Sequence, residues 1–335
     1  MDRKQLEEVA RKLIEQNKGI LAIDESPTSM EKKFKQVGIQ NTEENRRRYR
    51  EMLLTTPKDL SKYIGGVILN EETFHQFSSA DKSFVEIIRE NKILPGVKLD
   101  KGLLPLREGS DEKLSTGLED LGERCKEYRN KGAMFAKWRS VFSIENNLPT
   151  EECIYKNCDI LSEYAHVCQS NGVVPVVEPE VLFDGSYGLR ECQIVTSSVI
   201  SCLFYHLNRK GVHIPGTLLK VGFITSGSKN TRESLEEVAK ATIETFMSSV
   251  PPGLPGVVFL SGGHPEDRSV EYLKEVNRTK KQMGAPWSIS YSFGRALQDS
   301  ALALWNNEDA KKEEAQKHLI NRALLCSRAV QGESG

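Results

Sequence analysis

Eight short, continuous apolar segments recur along this chain, and their spacing restricts it to few architectures. They cover residues 19–24, 65–70, 95–100, 133–139, 173–178, 217–221, 256–261 and 287–291. Brief runs without polar alternation suit parallel strands covered on both faces. Between them lie stretches with apolar residues at three-to-four spacing, at 48–54, 119–129, 153–171, 191–209, 232–249 and 269–278. Such stretches predict helices with one buried face. Alternation of strand and helix eight times over predicts an α/β protein, a TIM (β/α)8 barrel. An N-terminal helix over about 3–17 and a C-terminal helix over about 308–329 are additions to it. No low-complexity linker or shift of composition divides the chain, so residues 1–335 read as one domain. Val250-Pro-Pro-Gly-Leu-Pro-Gly256 reads as the loop into the seventh strand, since its prolines end the helix before it.

Charge narrows the function. Lys and Arg number 46 against 47 Asp and Glu, which argues against a chain-wide field for nucleic acid or a membrane. No run of about 18 apolar residues is present, so no membrane-spanning helix is expected. The opening residues, Met1-Asp-Arg-Lys-Gln-Leu-Glu-Glu8, resemble the start of a helix and lack the apolar centre of a signal peptide. A cytoplasmic location is the expectation. Seven cysteines run from Cys125 to Cys326 without a C-x-x-C pair, and Cys153 and Cys158 stand five apart in a helical stretch. They read as reduced thiols acting as small hydrophobes.

Several apolar segments end in an ionisable residue. Lys220 closes Gly216-Thr-Leu-Leu-Lys220, Lys137 lies in Ala133-Met-Phe-Ala-Lys-Trp-Arg139, and Glu178 follows Val173-Val-Pro-Val-Val177. Desolvation disfavours an ammonium ion, so a lysine buried at such a point becomes a usable amine nucleophile toward a carbonyl. The alternative for any one of them is a solvated rim charge. In a barrel the C-terminal strand ends share one mouth. There the chain offers Asp24 and Glu25, Lys98 and Asp100, Lys137 and Arg139, Glu178 and Glu180, Lys220, Ser261-Gly-Gly263 and Arg295. Excess cationic side chains suit phosphate groups, and Ser261-Gly262-Gly263 after the seventh strand offers unobstructed backbone N–H groups. Asp24-Glu25-Ser26 could equally cap the next helix, and Arg139 could pair structurally with a carboxylate. The six histidines form neither H-x-H nor H-E-x-x-H, and only His264 adjoins a predicted strand end, so metal chemistry is not expected. No G-x-G-x-x-G follows a strand, which leaves a dinucleotide fold unsupported.

Nine landmarks in order resemble the class I, Schiff-base fructose-bisphosphate aldolases over about residues 3–332. They are Gly19-Ile-Leu-Ala-Ile-Asp-Glu-Ser26, Asn41-Thr-Glu-Glu-Asn-Arg-Arg47, Ile64-Gly-Gly-Val-Ile-Leu69, Val97-Lys-Leu-Asp-Lys-Gly102, Phe135-Ala-Lys-Trp-Arg139, Asn171-Gly-Val-Val-Pro-Val-Val-Glu-Pro-Glu180, Gly216-Thr-Leu-Leu-Lys220, Phe259-Leu-Ser-Gly-Gly263 and Gly294-Arg-Ala-Leu297. The resemblance implies that Lys220 forms an iminium with the substrate ketone. It implies Glu178 as acid/base for loss of water, with a raised pKa, and Asp24 as acceptor of the C4 hydroxyl proton. Lys137 would keep the carboxylates ionised and Lys220 unprotonated, with Arg139, Glu25 and Glu180 ordering the set. Ser261, Gly262, Gly263 and Arg295 are the implied site for the ketone-half phosphate. Ser26, Ser29, Lys33 and Lys98 are implied for the other, with Arg46 either there or a helix-surface charge.

No cofactor is implied; the implied partners are sugar phosphates and a homotetramer. A divergent paralogue acting as a sugar-phosphate or actin-binding protein is the alternative function. A third reading keeps the Schiff base but favours fructose 1-phosphate or sedoheptulose 1,7-bisphosphate. Three departures from the family bear on this. The chain stops at Gln331-Gly-Glu-Ser-Gly335, without the family's tyrosine-ended extension, so carbanion protonation and bisphosphate preference are expected to suffer. Val221-Gly222 replaces Pro-Asn after the lysine, which is expected to reposition the loop. Lys33 replaces arginine and loses bidentate phosphate geometry.

Overall fold

The computed structural model describes residues 2–56, 58–145 and 148–332; the last three residues of the chain lie outside it. In chain order the elements are α1 (Arg3–Lys12), β1 (Gly19–Ile23), α2 (Pro27–Gln36), α3 (Glu43–Leu54), β2 (Ile64–Leu69), α4 (Glu71–Phe74), α5 (Phe84–Glu90) and β3 (Leu94–Lys98). There follow β4 (Leu103–Pro105), β5 (Lys113–Ser115), α6 (Leu121–Asn130), β6 (Phe135–Phe142), α7 (Glu151–Ser170), β7 (Val174–Val181), α8 (Leu189–Arg209) and β8 (Leu218–Val221). The chain ends with α9 (Leu235–Ser249), β9 (Gly256–Phe259), α10 (Glu266–Met283), β10 (Ser288–Phe293), α11 (Arg295–Trp305) and α12 (Lys312–Gln331).

The eight apolar segments form a closed parallel barrel, with β1, β2, β3, β6, β7, β8, β9 and β10 in order and β10 returning to β1. The TIM barrel read from the sequence is therefore the observed fold. The short antiparallel hairpin β4–β5 is an element that the apolar pattern misses. Its residues Leu103 and Leu104 are exposed, so it carries no continuous buried run.

Chain chemistry fixes several boundaries. Thr42 accepts a hydrogen bond from Asn45 N, which starts α3 five residues before the expected 48. The N-terminal helix ends at Lys12 rather than 17, because Gln16 and Asn17 take left-handed backbone that turns the chain into β1. Left-handed Asn306 and Asn307 likewise separate α11 from α12.

The barrel floor is stoppered by α1 and the turn after it. Leu6, Val9, Ala10, Leu13 and Ile14 pack with Ile20, Ile68, Phe135, Val174, Leu218 and Val258. Two barrel glycines make room for this. A Cβ on Gly65 would lie 2.4 Å from the Leu13 carbonyl oxygen, and one on Gly256 would lie 2.2 Å from Ile14 Cδ1. The larger apolar layer lies between the strands and the outer helices. Among the described residues, no helix is long and apolar enough to cross a membrane.

Candidate active site

Period-two alternation puts Lys137 and Arg139 on one face of β6, and Glu178 and Glu180 on one face of β7. The two strands pair with Arg139 opposite Glu178. β3 sets Lys98 beside Lys137, and β8 carries Lys220 beside Val258 of β9. Glu178 sits within β7 rather than at its end, because pairing with β6 continues to Val181.

Four side chains form a continuous ionic chain at the mouth. Lys220 Nζ lies 3.0 Å from Glu178 Oε1. Lys137 Nζ lies 3.0 Å from Glu178 Oε2 and 2.8 Å from Asp24 Oδ2. Lys220, Lys137 and Glu178 are all buried, a placement that charges tolerate only with partners. Burial alone would raise both carboxyls. The ammonium groups of Lys137 and Lys220 outweigh it and hold Asp24 and Glu178 below the usual carboxylate range. The raised Glu178 value expected from the resemblance is thus corrected, and two flanking cations are the reason. Burial also works against charge on Lys137, but Asp24 and Glu178 more than offset it and push its pKa up.

A second ring orders this centre. Lys98 Nζ lies 2.7 Å from Asp100 Oδ1 and donates to the Asp100 carbonyl at 2.8 Å. Arg139 N donates to Asp100 Oδ2 at 3.3 Å, and Arg139 Nε donates to Glu180. After β9, Ser261 is buried and Gly262 and Gly263 have φ of 60° and 106°. His264 N closes the turn onto the Ser261 carbonyl at 2.9 Å. A Cβ on Gly263 would stand 3.7 Å from Arg295 Nη1, so the guanidinium overhangs the turn. This left-handed turn requires glycine and leaves its N–H groups unobstructed.

The opposite side of the mouth is less open than the sequence suggests. Ser26 caps α2, accepting from Ser29 N at 3.2 Å and donating to Ser29 Oγ at 3.1 Å. The capping role therefore falls to Ser26 and leaves Asp24 for Lys137. Lys33 is buried between Glu25 at 2.9 Å and Asp299 at 3.1 Å. Glu25 also holds Arg50 at 2.9 Å and accepts from Gln298 Nε2 at 3.0 Å. Arg46 grips Glu72 through Nε at 2.7 Å and Nη2 at 2.6 Å, and reaches Asn41 Oδ1 at 3.0 Å. Lys33 and Arg46 are thus cations already held by carboxylates.

Sequence reasoning missed Tyr49, Arg50, Gln298 and Asp299, which frame Glu25 and Lys33. Tyr49 donates to Gln298 Oε1 at 2.7 Å. The available signal was Arg50, a charge at a buried position of α3. The Val221-Gly222 departure does not bend β8: Val221 stays paired with Phe259, and a Cβ on Gly222 would meet only Leu260 Cδ1, at 3.9 Å. Among the described residues, no three His, Cys, Asp or Glu side chains are arranged to hold a metal ion.

The family model described as fructose-bisphosphate aldolase class-I matches residues 5–334. A fructose-bisphosphate aldolase of Encephalitozoon cuniculi is 45% identical over 325 residues, covering 97% of this chain and 95% of its own. Fructose-bisphosphate aldolase B of Bos taurus is 42% identical over 332 residues, covering 99% of this chain and 91% of its own. A solved Plasmodium falciparum fructose-bisphosphate aldolase, in complex with TRAP and a small-molecule inhibitor, has a TM-score of 0.96 at 40% identity. That match covers 99% of this chain and 96% of the other.

Proposed function

This chain belongs to the class I fructose-bisphosphate aldolase family, and on that premise we propose that Lys220 is its Schiff-base amine. The activity is that of a carbon–carbon lyase of glycolysis, the reversible cleavage of fructose 1,6-bisphosphate to dihydroxyacetone phosphate and glyceraldehyde 3-phosphate. One observation carries the assignment of roles: the unbroken sequence of contacts Lys220–Glu178–Lys137–Asp24, each at 3.0 Å or less.

Only the free amine attacks a ketone, and Glu178, 3.0 Å from Lys220 Nζ, is placed to exchange a proton with it. The Lys220 nitrogen then bonds to C2 of the sugar as the C2–O π electrons move onto oxygen, and a proton passes from that nitrogen to the oxygen, giving a carbinolamine. The Glu178 carboxyl, now protonated, returns a proton to the C2 hydroxyl, which leaves as water and yields the iminium. Asp24, kept ionised by Lys137, takes the proton of the C4 hydroxyl. The C4–O electrons close to a carbonyl, the C3–C4 bond breaks, and its electron pair passes through C3 to the iminium nitrogen, leaving an enamine. Protonation at C3 and addition of water release the ketone and regenerate Lys220.

Ser261, Gly262, Gly263 and Arg295 take the phosphate of the ketone half. Ser26, Ser29, Lys98 and Arg139 serve the other end, with Glu180 orienting Arg139. Lys33 and Arg46 position that half through the carboxylates they hold. The seven cysteines are free thiols, which supports a cytoplasmic setting. The expected assembly of this single barrel domain is a homotetramer, to be checked by light scattering.

Borohydride reduction in the presence of fructose 1,6-bisphosphate tests the chemistry. Mass spectrometry should find the triose or hexose adduct on Lys220, and Lys220→Met should abolish both adduct and turnover. A folded protein that gives no adduct, or an adduct on another lysine, refutes the assignment.

A further inference from the structure

We propose that Asp299 is a specificity-determining residue: its carboxylate, set against Lys33, weakens the hold of the mouth on the phosphate of the aldehyde half and so narrows the preference for fructose 1,6-bisphosphate over fructose 1-phosphate. The inference rests on the reading of α2 as part of the aldehyde-half phosphate subsite.

Helical spacing sets out the parts. Ser29 and Lys33 stand four residues apart on one face of α2, beyond the Ser26 cap. Arg295, read as an anchor for the ketone-half phosphate, opens α11, and Asp299 stands four residues on, along the same face. Asp299 Oδ1 lies 3.1 Å from Lys33 Nζ. One carboxylate therefore sits a helical turn from a cation of one phosphate subsite and in contact with a cation of the other.

The charges around Lys33 cancel. Lys33 donates to Glu25 Oε1 at 2.9 Å, and Arg50 donates to Glu25 Oε2 at 2.9 Å. With Asp299, two carboxylates face two cations, and no positive charge is left over for a phosphate dianion. The two carboxylates are not equivalent. Glu25 is held by Lys33, Arg50 and Gln298, which together bring its carboxyl below the usual range despite its burial. Asp299 has Lys33 as its one ion-pair partner among the described residues, and its side chain is 41% exposed against 21% for Glu25. Burial outweighs Lys33 and holds the Asp299 carboxyl above the usual range. Glu25 is thus the firm partner of Lys33, and Asp299 is a second, loosely compensated one whose main effect is to cancel its charge. A phosphate on the aldehyde half meets that cancelled charge, whereas fructose 1-phosphate carries only a hydroxyl there.

Asp299 acts through Lys33, so the test is a split between substrates. Asp299→Asn removes the charge and keeps the shape. KM for fructose 1,6-bisphosphate should fall by about two- to fivefold, the scale of one half-exposed charge, with kcat near the parental value. KM for fructose 1-phosphate should not move. Competitive inhibition by glyceraldehyde 3-phosphate should tighten in parallel, and inhibition by dihydroxyacetone phosphate should not. Asp299→Glu restores the charge and should keep the parental ratio between the two substrates. A bisphosphate KM that does not fall overturns the proposal, as does an equal fall for fructose 1-phosphate or a glutamate variant that behaves like the asparagine one. Lys33→Gln separates this from the underlying reading. If that variant leaves the ratio between the substrates unmoved, α2 is not the phosphate subsite, whatever the Asp299 variants do. If it raises KM for the bisphosphate alone while Asp299→Asn changes nothing, the subsite stands and the role of Asp299 falls.

Discussion

The Lys137 ammonium lies 2.8 Å from the Asp24 carboxylate and 3.0 Å from that of Glu178, so a single buried cation bridges two acids. Lys220 approaches Glu178 from the other side. In the proposed mechanism this arrangement keeps Asp24 ionised for deprotonating a hydroxyl while Glu178 trades a proton with the amine.

Lys137→Met leaves Asp24 and Glu178 with one buried countercharge fewer. Removing one partner of a buried ion pair costs about 3–5 kcal/mol, and thermal or urea unfolding should show a loss on that scale. Both carboxyls should move upward, and the acid limb of the activity profile should shift toward neutral pH. A variant of parental stability with an unmoved acid limb contradicts the ionic chain.

Glu178→Gln retains the shape of the side chain but cannot exchange a proton with Lys220. Turnover should fall by about a hundredfold or more, the usual scale of one acid–base group. Rapid-quench borohydride trapping should show the Lys220 adduct forming slowly. Normal adduct formation with slow turnover would move the role of Glu178 to a later step.

Acid stability separates two groups by pH window. His264 is held at about 4 against an ordinary 6.5, so the unfolded chain binds more protons between these values. Its contribution is complete above pH 6.5 and is lost as pH falls toward 4. Asp24 is lowered from 3.8, so its contribution is complete above that value and is lost only at more acidic pH. His264→Gln should therefore flatten the dependence of stability between pH 4 and 6.5, while Asp24→Asn should leave that window unchanged. Unfolding midpoints measured across the range decide it.

Gly65→Ala would drive a methyl group to within 2.4 Å of the Leu13 carbonyl. The clash is with backbone, so it should cost about 1–3 kcal/mol. Gly253→Ala, with nothing within 4 Å of the added carbon, is the control and should leave the midpoint nearly unmoved.

The barrel was readable because its strands are buried on both faces, which leaves uninterrupted apolar runs in the text of the chain. The hairpin β4–β5 was not, since β4 is exposed and strands of three residues carry no such run. Lys220, Lys137 and Glu178 stood out for one reason: a charge following a buried run demands an explanation. Of the two carboxylates that meet Lys33, Asp299 did not stand out. Asp299 belongs to α11, a helix the periodic reading did not mark, and it reaches Lys33 only once β10 has closed against β1. The lowered Glu178 value was hidden for a similar reason. Both flanking ammonium groups come from other strands, and their balance against burial is a property of the assembled mouth.

The stopper of Leu6, Val9, Leu13 and Ile14 beneath the strands has a kinetic corollary. With the base shut, traffic has one doorway, and both halves of the cleaved sugar must depart by the way the whole one came. With Lys220 as the proposed Schiff-base amine, the aldehyde fragment is untethered once the carbon bond parts, whereas its companion stays bonded until water arrives. Departure is therefore sequential, aldehyde first, and in the synthetic direction the ketone must be seated before its partner is admitted.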